Sequence, residues 1–236
     1  MNTKASLPMY DWPEIGNATD AFWRGFSRHA GLSGALRRDD RHDILWREPD
    51  MIFSQTCGYP FTHEFQGRLK YIATPHYDCD GCDGPDYSSF IFARDKAFKK
   101  GRPAINSMDS MSGMLALRLV LPKLDNPLIT GSHVASLEAV QSGKADVCAI
   151  DAVVVELARR HRPHLLSGLF QIAQSPMVPS LPFVTRAGNV AKLREALHKA
   201  FVDPSLVKAR SAMMLANFSI LPASAYDVIL ELEAEL

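Results

Sequence analysis

The sequence predicts an α/β protein, and two observations lead there. Short apolar runs alternate with helical periodicity from one end of the chain to the other, and small polar residues cluster directly after the apolar runs. With 236 residues, 47% hydrophobic and 22% charged, the chain can bury a real core as one large domain or two smaller lobes.

The elements follow in order. Residues 5–10 (ASLPMY) read as a first strand. Over 19–32 the residues Phe22, Trp23, Phe26 and Ala30 share one helical face, with Asn17 or Thr19 to cap the start and Gly31 near the end. Strands are expected at 51–56, 69–74 and 88–94, each rich in β-branched or aromatic residues. A strand at 102–106 leads through a Ser-rich turn at 107–112 into an apolar helix from about 113, which should stop near Pro122. Residues 127–131 then lead into a helix at 132–142, with Val134, Leu137 and Val140 facing a sheet and Gly143 as its stop. A strand at 147–151, a helix at 153–161, extended stretches at 169–174 and 181–185, and helices at 189–202, 204–216 and 224–235 complete the chain.

Charge excludes some functions. Lys plus Arg and Asp plus Glu balance at 26 each, so no global field favours nucleic acid or an anionic membrane. Charged residues interrupt every hydrophobic run, so no membrane insertion is expected. The first residues, MNTKASLPMYDW, contain no apolar signal region, which leaves two readings of location: export encoded by a removed segment, or a protein that stays inside the cell.

Ligands of open parallel sheets collect where strands end, so the polar turns there are the candidate site. Asn106 to Gly113 (NSMDSMSG) joins a strand to a helix. Helix N-terminal amides, the hydroxyls of Ser110 and Ser112, and the close approach allowed by Gly113 would suit an anion, although a plainly capped helix explains the same residues. The segment matches neither the Walker loop nor the dinucleotide fingerprint. Thr130 to His133 (TGSH) repeats the arrangement with Ser132 and His133, and the two helix starts could converge on one ligand. Asp151, closing VCAID, either faces a cationic group or caps the next helix. Two aromatic and polar loops, Tyr10-Asp11-Trp12 and Gln55-Thr56-Cys57-Gly58-Tyr59-Pro60, could wall a pocket. Cys79-Asp80-Gly81-Cys82 supplies half a zinc site, short of ligands unless Cys57, His63 or His76 joins it. Gly84-Pro85 places the pair in a loop rather than at a helix start, against a thioredoxin-like role, and a disulfide such as Cys57 to Cys82 stays open.

In ASLPMYD (5–11), SQTCGYP (54–60), NSMDSMSG (106–113) and TGSHVASLEAVQSGKADVCAID (130–151), the chain resembles the substrate-binding proteins of phosphonate-type ABC transporters, in the type II periplasmic binding-protein superfamily. The resemblance implies a two-lobed α/β fold, each lobe a mixed sheet flanked by helices, with residues 1–90 plus 178–236 in one lobe, 91–177 in the other, and a ligand cleft between them. It implies an anionic head group on Ser110, Ser112, Gly113, Ser132 and His133, closed over by Tyr10 and Tyr59, with Asp151 reading a cationic group. Met111 stands where a second hydroxyl would strengthen phosphonate binding, so sulfonate, phosphate and carboxylate stay open. No two of the six tyrosines are adjacent, unlike the ferric-ion branch of the superfamily.

The resulting expectation is a non-catalytic solute receptor: a monomer that binds a small anionic ligand, uses no cofactor and works with a transporter permease. A ligand sensor inside the cell on the same fold is one alternative. A hydrolase using Ser110 or Ser132 with His133 and Asp151 is another, and it requires the imidazole to lie between a serine and the carboxylate.

Overall fold

The structure is a computed structural model that describes residues 4–38, 41–123 and 125–236. Residues 1–3 and 39–40 of the expected first lobe, and Leu124 of the second, lie outside the described residues.

The chain begins with β1 (Lys4–Ala5), α1 (Gly16–Ala30), α2 (His42–Arg47), β2 (Met51–Gln55), α3 (Gly58–Thr62) and β3 (Lys70–Tyr77). It continues through β4 (Cys82–Asp83), β5 (Asp86–Tyr87), β6 (Ser89–Ala93), β7 (Pro103–Ile105), a π-helical turn at Met111–Leu115 and α4 (Ala116–Val120). Next come β8 (Leu128–Ile129), α5 (His133–Gln141), β9 (Val147–Asp151), α6 (Ala152–His161) and β10 (Phe170–Gln174). The last elements are β11 (Val178–Pro179), β12 (Phe183–Thr185), α7 (Val190–Val202), α8 (Val207–Ala212), β13 (Leu215–Ser219) and α9 (Val228–Ala234).

Among the described residues the strands form two mixed five-stranded sheets, ordered β1-β2-β12-β3-β13 and β10-β6-β9-β7-β8, and a small sheet, β11-β5-β4. The fold is the expected two-lobed α/β type. In the first sheet Phe53 is fully buried and packs on Phe26 at 4.4 Å and Phe183 at 5.2 Å between ring centroids. The apolar face of α1, namely Phe22, Trp23, Phe26 and Ala30, lies in this core, and Gly31 ends the helix in the left-handed conformation at φ +66°. No helix is long and apolar enough to cross a membrane among the described residues.

Several elements differ from the sequence expectation. The strand expected at 5–10 pairs only at Lys4–Ala5, because Pro8 has no amide to donate and Tyr10 turns away toward the second sheet. The helix expected at 204–216 is a 3-10 turn followed by α8, which stops at Ala212; Met214 takes φ +55°, and Leu215–Ser219 joins β3 as an antiparallel strand. Helices α2 and α3 and the small sheet were not anticipated; they are short elements without a full period of apolar residues.

Candidate functional site

Sheet order brings the polar turns together. Strand β7 pairs in parallel with β8 on one side and with β9 on the other, so all three end on the same side of the sheet. Beyond β7 lies the 106–113 turn, beyond β8 the 130–133 turn, and β9 closes on Asp151. Backbone bonds from Thr130 to the Ile105 carbonyl (2.9 Å) and from Gly131 to the Asn106 carbonyl (3.0 Å) hold the first two turns side by side.

Each turn opens a helix. The Ser110 hydroxyl accepts from the Gly113 amide at 2.9 Å, and the Ser132 hydroxyl from the Ala135 amide at 3.1 Å. The two starts touch through Ser112 Oγ and His133 Nε2, 2.9 Å apart. Burial pushes the His133 imidazole down to about 4, against a smaller opposing pull from the Ala149 carbonyl, so the ring is neutral near pH 7. A Cβ on Gly113 would stand 1.8 Å from Asn106 Oδ1, so only glycine lets the Asn106 amide pack there.

These groups line a cavity of about 300 Å³ whose wall includes Tyr10, Trp12, Trp46, Cys57, Phe65, Asn106, Ser110, Ser112, Ser132, His133 and Asp151. Tyr10, from the segment after β1, donates to Asp151 Oδ2 at 2.8 Å and packs edge-on against Tyr77 at 5.1 Å, which ties the two sheets together beneath the cavity. The other Asp151 oxygen accepts from the Val153 amide at 2.8 Å as the cap of α6. Burial raises this carboxyl to about 6, even though Tyr10 and the Val153 and Val154 amides favour its charged form. Burial also pushes the Cys57 thiol up, opposed by the amides of Tyr59, Met111 and Ser112.

Of the ten residues expected from sequence, Tyr10, Ser110, Ser112, Ser132, His133 and Asp151 line this cavity, while Gly113 supports it from behind. Gln55, Thr56 and Tyr59 are engaged elsewhere. Gln55 donates to Tyr77 Oη (2.8 Å) and to the Leu181 carbonyl (2.9 Å), and Thr56 is fully buried and donates to the Cys57 carbonyl. Tyr59 stacks on His63 and donates to Glu233 Oε1 at 2.6 Å, clasping α9. Sequence reasoning names Asn106 only as the start of the first candidate turn and gives it no role of its own, and it misses Trp46, which carries no local signal.

The arrangement does not build a catalytic triad. His133 Nε2 meets a serine, but its Nδ1 is buried without a hydrogen bond, and both Asp151 oxygens are engaged by Tyr10 and Val153. Nor do the described residues group three His, Cys, Asp or Glu side chains around a metal position.

Residues 50–222 match the family model described as ABC transporter, phosphonate, periplasmic substrate-binding protein. No curated protein matches the chain in sequence. Among solved structures, PhnD1 of Prochlorococcus marinus in complex with methylphosphonate is similar at a TM-score of 0.77 and 14% identity, covering 99% of this chain and 97% of that one. A binding-protein component of an ABC phosphonate transporter from Pseudomonas aeruginosa is similar at 0.78 and 15% identity, covering 98% and 85%. A Xanthomonas citri protein bound to ATP is similar at 0.71 and 18% identity, covering 99% and 96%.

Proposed function

The chain belongs to the periplasmic substrate-binding protein family of phosphonate ABC transporters, a family of non-catalytic solute receptors, and from that premise we propose that its cavity binds a small organic anion of the phosphonate or phosphate class and hands it to a transporter permease. The observation that carries this reading is the Ser112–His133 contact, which joins two helix N-termini at one cavity. Amides at a helix start bear partial positive charge, and two such starts with neutral serine hydroxyl donors can hold an anion without a lysine or arginine. The head group would sit against Ser110, Ser112, Ser132 and His133, and the organic part would extend toward Tyr10, Trp12 and Asp151, where an ammonium group would find a carboxylate.

In this reading residues 1–90 plus 178–236 form one lobe and 91–177 the other. The Tyr10–Asp151 hydrogen bond, between residues 141 apart in sequence, supports closure of the first lobe over ligand held by the second. A ligand touching both lobes stabilises the closed form by its differential affinity, and a shift from 1:99 to 99:1 needs roughly 5.5 kcal/mol.

The test is calorimetry on protein stripped of retained ligand, with methylphosphonate, 2-aminoethylphosphonate, phosphate and methanesulfonate. At least one should bind, and the Ser112→Ala and His133→Asn variants should each weaken it about tenfold or more, the scale of one lost hydrogen bond to a charged group. Absence of binding by all four overturns the proposal.

A further inference from the structure

Cys79 and Cys82 lie outside the cavity wall, on the chain that passes from the first sheet to the second. The turn Cys79-Asp80-Gly81-Cys82 is closed by a hydrogen bond from the Cys82 amide to the Cys79 carbonyl at 3.1 Å, with Gly81 at φ +84° in its third position. That geometry is a tight β-turn whose positive φ calls for glycine, and such turns keep their end Cα atoms within about 7 Å, inside or near the span a disulfide bridges. The two sulfurs already face each other at 3.6 Å, and both residues are half-buried, open enough for a small reagent to reach them.

The turn also packs against the second sheet. A Cβ at Gly81 would stand 2.7 Å from Phe90 of β6 and 2.9 Å from Ala152 at the start of α6. The Gly81 carbonyl accepts from both the amide (2.8 Å) and the hydroxyl (2.9 Å) of Ser88. Cys82 pairs with Tyr87 in the small sheet, whose remaining strand, β11, belongs to the returning passage between the two sheets.

We propose that Cys79 and Cys82 are a reversible disulfide site that locks the turn on the crossing between the two sheets, oxidised by a low-molecular-weight disulfide of the glutathione class. The hydrogen bond between the two sulfurs, and then burial, hold the Cys82 thiol well above its ordinary range. One cysteine of the pair gives up its proton to solvent and its thiolate attacks one sulfur of the external disulfide, whose S–S bond breaks, and the departing thiolate takes up a proton. The other cysteine then gives up its proton and attacks the protein sulfur of the mixed disulfide, forming the protein S–S bond and expelling the second small thiolate, which is protonated in turn. The protein loses two electrons and two protons, and one external disulfide becomes two thiols. Proximity favours this second step over a lasting mixed disulfide. The site is independent of what the cavity binds.

The full chain is incubated with rising ratios of oxidised to reduced glutathione, alkylated, and analysed by intact mass and tryptic mapping. The peptide running from Tyr71 to Arg94 contains both cysteines. It should escape alkylation and lose about 2 Da, the two thiol hydrogens, and dithiothreitol should restore it. The Cys79→Ser variant should lose that shift, whereas Cys57→Ser should keep it. A peptide that takes up two alkyl groups at every ratio, or a crosslink joining Cys82 to Cys57, overturns the proposal; both readings come from the unmodified chain and do not depend on a variant folding.

Discussion

Asp151→Asn should make the ligand-free protein more stable at neutral and alkaline pH, because the wild-type carboxyl is ionised there at a cost. In the folded state it titrates near 6, against 3.8 ordinarily, with burial as the main cause. That rise corresponds to about 3 kcal/mol. The sign follows from proton binding: the folded protein holds this proton more tightly than the unfolded chain, so the stabilisation is fully present below pH 3.8 and is lost as pH rises through about 6. Asparagine stays neutral and remains a good helix cap, so it should accept from the Val153 amide as the aspartate does. At about pH 8 the variant should therefore gain up to about 3 kcal/mol, or roughly 6–12 °C in Tm for a chain of this size, with the gain vanishing near pH 4. His133 acts in the opposite direction: its folded value is lowered from 6.5 to about 4, so its stabilisation is lost as pH falls through that window. Wild type partly cancels the two slopes, and Asp151→Asn should expose the His133 slope as a stability that falls on acidification. Urea unfolding from about pH 4 to pH 8 measures both effects. A variant no more stable than wild type at the alkaline end would refute the assignment of a desolvated carboxylate.

Three further outcomes are expected. Gly113→Ala should destabilise by about 1–3 kcal/mol in urea unfolding, because its Cβ would meet Asn106 Oδ1 at 1.8 Å, and adding Asn106→Ala should recover part of that loss. Tyr59→Phe should cost about 1 kcal/mol through its lost bond to Glu233, yet leave anion affinity by calorimetry unchanged, since this residue clasps α9 and does not line the cavity. Methanesulfonate, whose charge is constant over the range, should bind several-fold tighter at about pH 5.5 than at pH 8 as Asp151 becomes neutral, and Asp151→Asn should abolish that dependence; calorimetry at the two pH values decides it.

Local signals made most of the fold legible. The runs at 102–106, 127–131 and 147–151 each end in polar residues, and each is a strand closing on the cavity. What one sequence could not supply was strand order: the convergence of Ser112 on His133 depends on β7 lying between β8 and β9. The Tyr10–Asp151 contact joins residues 141 apart, beyond any periodic pattern. The missed strand at Leu215–Ser219 has a different cause. The preceding residues are good helix formers, and the break falls at Met214 with a positive φ, where neither glycine nor proline announces it. Tyr59 shows the limit of motif reasoning in the same way, because an aromatic next to a polar loop fits a pocket wall and a helix clasp equally well until α9 is in place.

The electrostatics of the cavity follow from these placements. Among the described residues of its wall there are carboxylates (Asp11, Asp43, Glu64, Asp109 and Asp151) but no lysine or arginine. Three arginines bond acids of the wall: Arg38 bonds Asp11, Arg41 bonds Asp43, and Arg47 bonds Glu64. In the proposed reading, attraction for an anion would therefore come from the dipoles at the two helix starts and the serine hydroxyls beside them, and the dipole contribution falls off within about a turn of the helix end. A head group seated on both starts gains from each, whereas one displaced by a few ångströms loses most of the attraction and meets the acidic rim. On the proposed reading, discrimination would rest on position rather than on net charge: an anion too large to reach both starts would be repelled by the same wall that tolerates a smaller one, and an ammonium group set a short distance from the head would turn the Asp151 side of the cavity from a penalty into a contact.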